Sequence, residues 1–273
     1  MSTSQSEKAR AFAALHEQPD LFIIANAFDG CSARMLASIG FEALATSSWV
    51  QAALLGKRDG GTTRAEALAH ATLIVEATDL PVSADLEKGF GDAPEDVAAT
   101  IRGAGAIGLV GGSIEDATGD PATPIYDMDA AVQRVEAAVA AARDLPFEFT
   151  LTARSENFVR GVNDLDDTIR RLQAFEAAGA DVLMAPGLPD LEAVRQVCVS
   201  LKKPVNFMAG IKGKSFTVAD LAAAGVKRVS LATSLYSCAM TATLEAAREI
   251  KDAGTFGYID RLTAVDLNAF LED

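Results

Sequence analysis

PVSADLEKGFGDAPEDVAATIRGAGAIGLVGGSIED, residues 81–116, holds two strand-like runs on either side of a helix-like one. Its two ends, PVSAD (81–85) and AIGLVGGSIED (106–116), are short runs of β-branched and small apolar residues, the composition of strands covered on both faces. Between them, residues 94–104 carry the spacing of an Ala-rich amphipathic helix, and Asp92-Ala-Pro in front is a helix-start signal. A strand, a helix and another strand in direct succession predict a parallel pair joined by a crossover helix.

The same unit recurs on both sides. Further strand candidates are LFIIAN (21–26), FEALATS (41–47), FEFTLTAR (147–154), DVLMAP (181–186), PVNFMA (204–209) and RVSLAT (228–233). Helical runs follow at about 30–38, 64–78, 128–143, 164–178, 190–201, 217–224 and 235–252, several ending in Ala-Gly before the next strand. Eight units without a linker or low-complexity tract predict one closed (β/α)8 barrel, a TIM barrel, because a doubly wound sheet uses fewer. The expected organisation is an N-terminal helical segment over 1–20, the barrel over 21–253 and a short helical tail over 254–273.

Bulk properties agree with a globular chain: 273 residues that are 49% hydrophobic can bury a large core. No run reaches the roughly 18 apolar residues of a membrane span, and MSTSQSEKAR lacks the apolar centre of a secretory signal, so a cytoplasmic location is expected. A formal charge of −14 without a Lys/Arg cluster argues against nucleic acid and membrane as partners. Cys31, Cys198 and Cys238 are too far apart for a metal motif and read as reduced thiols. A small anionic substrate is the partner expected, and in so acidic a protein it needs a cation or a local set of donors.

Catalytic groups of such a barrel sit at the C-terminal ends of the strands and in the loops after them. The polar residues collect there: Asn26 and Asp29 after the first strand, Thr46, Ser47, Ser48 and Trp49 after the second, Asp85 and Glu87 after the third. Glu115 and Asp116 follow the fourth strand, Arg154 and Glu156 the fifth, and Asn206 lies in the seventh. One strand-end acid is ordinarily a cap or an ion-pair partner. Several converging carboxylates repel one another unless a hard divalent cation sits among them, the arrangement of oxygen-rich Mg²⁺ sites.

SADLEKGFGD, GGSIEDATGD, TLTARSEN, ANAFDGCSARML and PVNFMAG resemble the motifs of the isocitrate lyase/phosphoenolpyruvate mutase superfamily, over roughly Asn26 to Leu235. The resemblance implies Mg²⁺, with Mn²⁺ as an alternative, held by Asp85, Glu87 and Glu115, partly through waters, and Asp59 in GKRDGGTT as a further acid. It implies Arg154 as the substrate-anchoring arginine, and Ser47, Ser48 and Trp49 as the segment holding the carboxylate and oxo group of a 2-oxo acid. Asn206, Glu156 and Tyr126 complete the expected substrate contacts. It also implies a homotetramer, or at least a homodimer, in which the last barrel helix, about 235–253, is exchanged with a neighbour.

The chemistry implied is enolate formation: breaking a bond to C3 puts negative charge on the ketone oxygen, where a cation and fixed donors stabilise it. Lyases of the superfamily resemble one another in a lid with Lys-Lys/Arg-Cys-Gly-His. Here the corresponding ATGDPATPIYD (117–127) has no cysteine, histidine or lysine, and Asp120 and Tyr126 are its proton-moving groups. Isocitrate-type lysis needs a positioned acid or base and is disfavoured. Decarboxylation of a 2-oxo diacid such as oxaloacetate fits best, ahead of P–C bond mutase or hydrolase chemistry and of an inactive Mg²⁺-binding homologue. The glycine-rich, basic GIKGKSF loop (210–216) reads equally as a phosphate site or as an exposed loop before a helix capped by Thr217. His16 and His70 both read as structural.

Overall fold

The computed structural model describes residues 3–214, 216–262 and 266–271. Eight parallel strands close into a barrel in sequence order: β1 Phe22–Asn26, β2 Leu44–Ala45, β3 Val82–Asp85, β4 Gly111–Glu115, β5 Thr150–Arg154, β6 Val182–Met184, β7 Val205–Met208 and β8 Arg228–Ser230. The seam closes where β1 pairs with β8, Phe22 opposite Arg228. The helices are α1 Gln5–Glu17, α2 Gly30–Ile39, α3 Ser48–Leu54, α4 Arg64–Glu76, α5 Pro94–Ala106, α6 Met128–Arg143, α7 Leu165–Ala177, α8 Leu191–Val199, α9 Val218–Ala223 and α10 Ser234–Arg248.

Period-two alternation along the strands sorts the side chains. Ala25, Ala84, Ile114, Ala153, Phe207 and Val229 are buried in the clusters formed with the surrounding helices. Their neighbours Asn26, Asp85, Ser113, Glu115, Arg154 and Asn206 line the barrel cavity instead. Thr63 with Glu66 forms a capping box on α4 and Thr217 caps α9 as the sequence predicts, whereas α5 starts at Pro94 behind Ala93, and Asp92 turns to Lys88 and Tyr126 instead of capping it.

The bottom of the barrel is closed by α1. Phe12 is fully buried and packs edge-on against His16 and Phe22, with ring centroids 4.9 and 6.5 Å away. Gly111 makes room for it, since a Cβ there would lie 2.8 Å from the Phe12 ring and 3.0 Å from the Thr150 carbonyl oxygen. His16 Nδ1 bonds the Phe12 carbonyl at 2.8 Å, and its Nε2 lies 3.2 Å from Nη1 of Arg228. His70 holds the Phe28 carbonyl at 2.9 Å, so both histidines have structural partners.

Several boundaries differ from expectation. The 41–47 strand keeps only Leu44–Ala45 in the ladder, and the chain then enters α3, a short helix whose N-cap Ser47 makes no side-chain cap bond and so leaves no sequence mark. The 106–116 strand begins at Gly111, because α5 runs to Ala106 and Gly108, at φ 98°, turns the chain first. The last helical run ends as α-helix at Arg248 and finishes in a wider turn, Glu249–Ala253. Among the described residues the tail forms two single 3-10 turns, Ile259–Arg261 and Leu267–Phe270, instead of the one helix expected, while residues 263–265 and 272–273 lie outside the described residues.

Candidate active site

The strand ends open into a cavity of about 640 Å³ whose walls include Ser47, Ser48, Trp49, Asp59, Asp85, Glu87, Glu115, Arg154, Glu156 and Asn206. Ten of the eleven residues expected at the site therefore share one cavity. Tyr126 is the exception and is not among the lining residues. Its hydroxyl donates to Asp92, its ring lies 4.4 Å under the Arg134 guanidinium, and its carbonyl accepts from Arg171 at 2.8 Å. The expected substrate contact is instead a clamp at the base of the lid.

Arg154 is the hub. Nη1 donates to Asp85 Oδ1 at 2.9 Å, Nη2 lies 3.2 Å from Glu115 Oε2, and Nε and Nη2 reach Glu156 Oε1 at 3.0 and 2.8 Å. Burial works against its charge, but Glu156, Asp85 and Glu115 outweigh burial and hold it protonated. The register explains the convergence, because Glu115 pairs with Arg154 across β4 and β5 at the same height in the barrel.

Asp85 caps β3 and is fixed by four donors. Besides Arg154 it accepts from the Ser48 hydroxyl at 3.0 Å and from the backbone N–H of Ser48 and of Glu87 at 3.3 Å. Burial alone would push its carboxyl up, yet Arg154 and the Ser48 donors keep it below the usual range. The Ser48 hydroxyl also lies 3.2 Å from Asp59 Oδ1, so one proton faces two carboxylates. Burial, followed by the Asp85 charge, raises Asp59. The same two causes push Glu87 up to about 7, although Thr62 donates to it at 3.0 Å. Burial and then the Glu156 charge push Glu115 well above the carboxylate range.

Asp59, Asp85, Glu87, Glu115 and Glu156 thus face Arg154 and Arg160 across the cavity. Two further cations that border it are engaged elsewhere. Lys88 is held by Asp92 at 2.5 Å and by the Thr118 carbonyl at 2.7 Å. Arg228 sits a layer lower, donating to Asn206 Oδ1 and Thr152 Oγ1 at 2.8 Å each, and burial brings it down to about 9.

Among the described residues no three acids, cysteines or histidines form a ready-made metal cage. The donor set is all oxygen, rich in carboxylate and under mutual repulsion, which suits a hydrated Mg²⁺ that keeps several waters and takes few direct protein ligands.

Asn206 lies deep, its amide donating to Ser230 Oγ at 3.0 Å, which makes it part of the cavity floor. Sequence reasoning missed Arg160 and Arg228. Arg160 stands on the 3-10 turn Asn157–Arg160 directly after the fifth strand end, where a cation near three acids could have been flagged. Arg228 alternates with Ser230 on β8, and that period was its signal.

The lid closes on itself through a bridge between Ala117 and Ile125 and presents Ala117, Thr118 and Gly119 to the cavity. Asp120, its other proton-moving group, is exposed and is not among the lining residues. In the 210–216 loop, Gly210 and Ile211 border the cavity, Lys214 donates to the Gly187 carbonyl at 2.6 Å, and Ser215 lies outside the described residues. Asp116, next to Glu115, turns outward to Arg171 at 3.2 Å and to the Glu156 backbone N–H at 2.8 Å, a structural tie between strand ends.

The family model described as phosphoenolpyruvate phosphomutase matches residues 12–251. The chain is 30% identical over 257 residues to an oxaloacetate decarboxylase of Ectopseudomonas mendocina (strain ymp), covering 92% of this chain and 87% of that one. A structure from Burkholderia cenocepacia J2315, named provisionally as a lyase/mutase, superposes with a TM-score of 0.94 at 51% identity, covering 97% of this chain and 96% of that one. Oxaloacetate acetylhydrolase in complex with its product oxalate superposes with a TM-score of 0.88 at 26% identity, covering 98% and 94%. With its closed eight-stranded barrel and a family model matched over residues 12–251, the chain belongs to the phosphoenolpyruvate phosphomutase family, within the PEP mutase/isocitrate lyase superfamily.

Proposed function

We propose that the protein is a Mg²⁺-dependent lyase that decarboxylates a small 2-oxo diacid of the oxaloacetate type. The observation that carries this reading is the pairing of a charged Arg154, ringed by Asp85, Glu115 and Glu156, with a lid that, among the described residues, brings Ala117, Thr118 and Gly119 to the cavity and no acid, base or thiol. Arg154 anchors a carboxylate, a role its planar fork fills better than an ammonium would. The Ser47 and Ser48 hydroxyls and the Trp49 wall orient the oxo end. A cation among Asp85, Glu87, Glu115 and Asp59 would supply Lewis-acid stabilisation of charge on the ketone oxygen. The C3–C4 bond then breaks, its electron pair becomes the C2–C3 double bond of the enolate, and C4 leaves as CO₂. Water delivers the proton to C3 and pyruvate results.

Relatives named as oxaloacetate decarboxylase and the oxalate complex support the substrate class. The test is decarboxylation of oxaloacetate with Mg²⁺, measured against Mg²⁺ alone, with oxalate as the planar enolate mimic that should inhibit. Robust cleavage of methylisocitrate would overturn the reading, since it would require an acid that the lid does not bring to the cavity. Turnover of phosphonopyruvate in place of oxaloacetate would move the assignment to P–C chemistry.

We also propose a homo-oligomer built on the C-terminal segment, with 1–20 and 254–273 flanking one barrel domain. No residue of α10 is buried, and Met240, Leu244, Ile250 and Phe256 are exposed apolar groups on or just after it. The cytoplasmic setting rests on the sequence; among the described residues no helix is long and apolar enough to cross a membrane.

A further inference from the structure

We propose that Arg160 determines specificity at this site by taking the distal anionic group of the substrate, the carboxylate or phosphonate on C3, while Arg154 holds the 2-oxo acid end. This rests on the 2-oxo acid reading above and extends it.

Arg160 stands at the rim on a turn that its surroundings fix. Asn157 is fully buried and donates to Asp167 at 2.9 Å, Val162 N–H closes on the Asn157 carbonyl at 2.8 Å, and Gly161 leaves the turn at φ 82°. The backbone is therefore set while the side chain keeps reach: 38% of the Arg160 side chain is exposed, against 11% for Arg154.

Its partners are already served. Arg160 Nη2 lies 3.2 Å from Glu115 Oε1 and Nε lies 3.6 Å from Glu156 Oε2, the second too long for a hydrogen bond. Both acids are held more deeply by Arg154, at 3.2 and 2.8 Å. A partly exposed pair of this kind contributes little to stability, and a guanidinium carries five N–H donors, more than these two contacts use.

Among the described residues, the other cations that line the cavity are engaged: Lys88 is bound to Asp92 and the Thr118 carbonyl, and Arg228 to Asn206 and Thr152 in the floor. A second anionic group on a ligand anchored by Arg154 therefore meets Arg160, with Val159 beside it on the cavity wall.

The experiment is calorimetric binding with Mg²⁺ to the wild type, Arg160→Gln and Arg160→Lys, each checked for folding by circular dichroism. Three probes separate the terms: oxalate, which has no distal group, 3,3-difluorooxaloacetate, with a distal carboxylate, and phosphonopyruvate, with a distal phosphonate. Removing a charge-assisted contact predicts that the affinity for a distal probe, relative to oxalate, falls about 10- to 100-fold in Arg160→Gln and recovers in part in Arg160→Lys. The probe that loses more identifies the anion. Ratios within about threefold of wild type for both distal probes, a spread on the order of ordinary context effects, would overturn the role of Arg160. Failure of oxalate to bind the wild type would instead overturn the 2-oxo acid reading, and Arg160 would then be judged by the absolute loss of the distal probes. If no probe binds, both fall.

Discussion

His16 makes the bottom of the barrel a sensor of acid whose strength can be worked out. Its ring is wedged between Phe12 and Phe22, faces the Arg228 guanidinium and has Lys227 nearby. Burial first, then the Arg228 charge, bring its pKa from the usual 6.5 to about 3, against the pull of the Phe12 carbonyl. A depressed histidine favours the neutral form in the folded state, so its contribution is complete above pH 6.5 and is lost as pH falls towards 3. At pH 5 the unfolded chain binds this proton and the native chain does not, a loss of about 2 kcal/mol that approaches roughly 5 kcal/mol below pH 3.

The raw pH profile hides this effect. Glu115, Asp116 and Glu87 have raised folded values and gain stability over part of the same range. His16→Gln removes the titration while leaving an acceptor for Arg228, so the difference between wild type and variant isolates it. Urea unfolding of both, at equal protein concentration and at pH 8 and pH 5, should show the wild-type advantage shrink by about 2 kcal/mol. A difference that stays constant to within about 0.5 kcal/mol would refute the reasoning, because changes of that size are ordinary for substitutions that disturb nothing specific.

Asp85→Asn should leave the barrel folded, since Arg154 keeps Glu115 and Glu156, but should abolish Mg²⁺-dependent turnover and weaken Mg²⁺ binding by calorimetry; retained turnover contradicts the site. Gly111→Ala should cost about 1–3 kcal/mol by urea unfolding, because the new methyl collides with the Phe12 ring and the Thr150 carbonyl, and Phe12→Leu in the same chain should recover part of it. Sedimentation at micromolar concentration should show a dimer or tetramer, and substitution of Met240 and Leu244 by Glu should shift it towards monomer; a wild-type monomer contradicts the assembly.

The barrel was legible because each inward acid is followed by loop residues and each outward neighbour is apolar, so strand ends announce themselves. What was not legible came from long-range packing. Nothing local marks α3, whose cap makes no side-chain bond. Arg228 stands at the start of a strand, where an arginine ordinarily meets water, and only α1 folding across the barrel bottom buries it. Tyr126 looked available in the lid, but Asp92 and the α6 residue Arg134 draw it aside. Arg160 depends on a turn anchored by Asn157 to α7, a contact across ten positions that no period reports.

The sparse lid also bears on stereochemistry. A side chain that hands a proton to the enolate does so from one fixed face and leaves a product of one configuration. The lid groups at the cavity, Ala117, Thr118 and Gly119, give up no proton at neutral pH, so under the proposed reaction the lid leaves C3 to be protonated by water from whichever face is open. Decarboxylation of a 3-methyl oxo diacid in deuterated water should then give 2-oxobutyrate labelled at C3 with both configurations. The deuterium at that carbon becomes a record of whether the proton came from the protein or from the solvent.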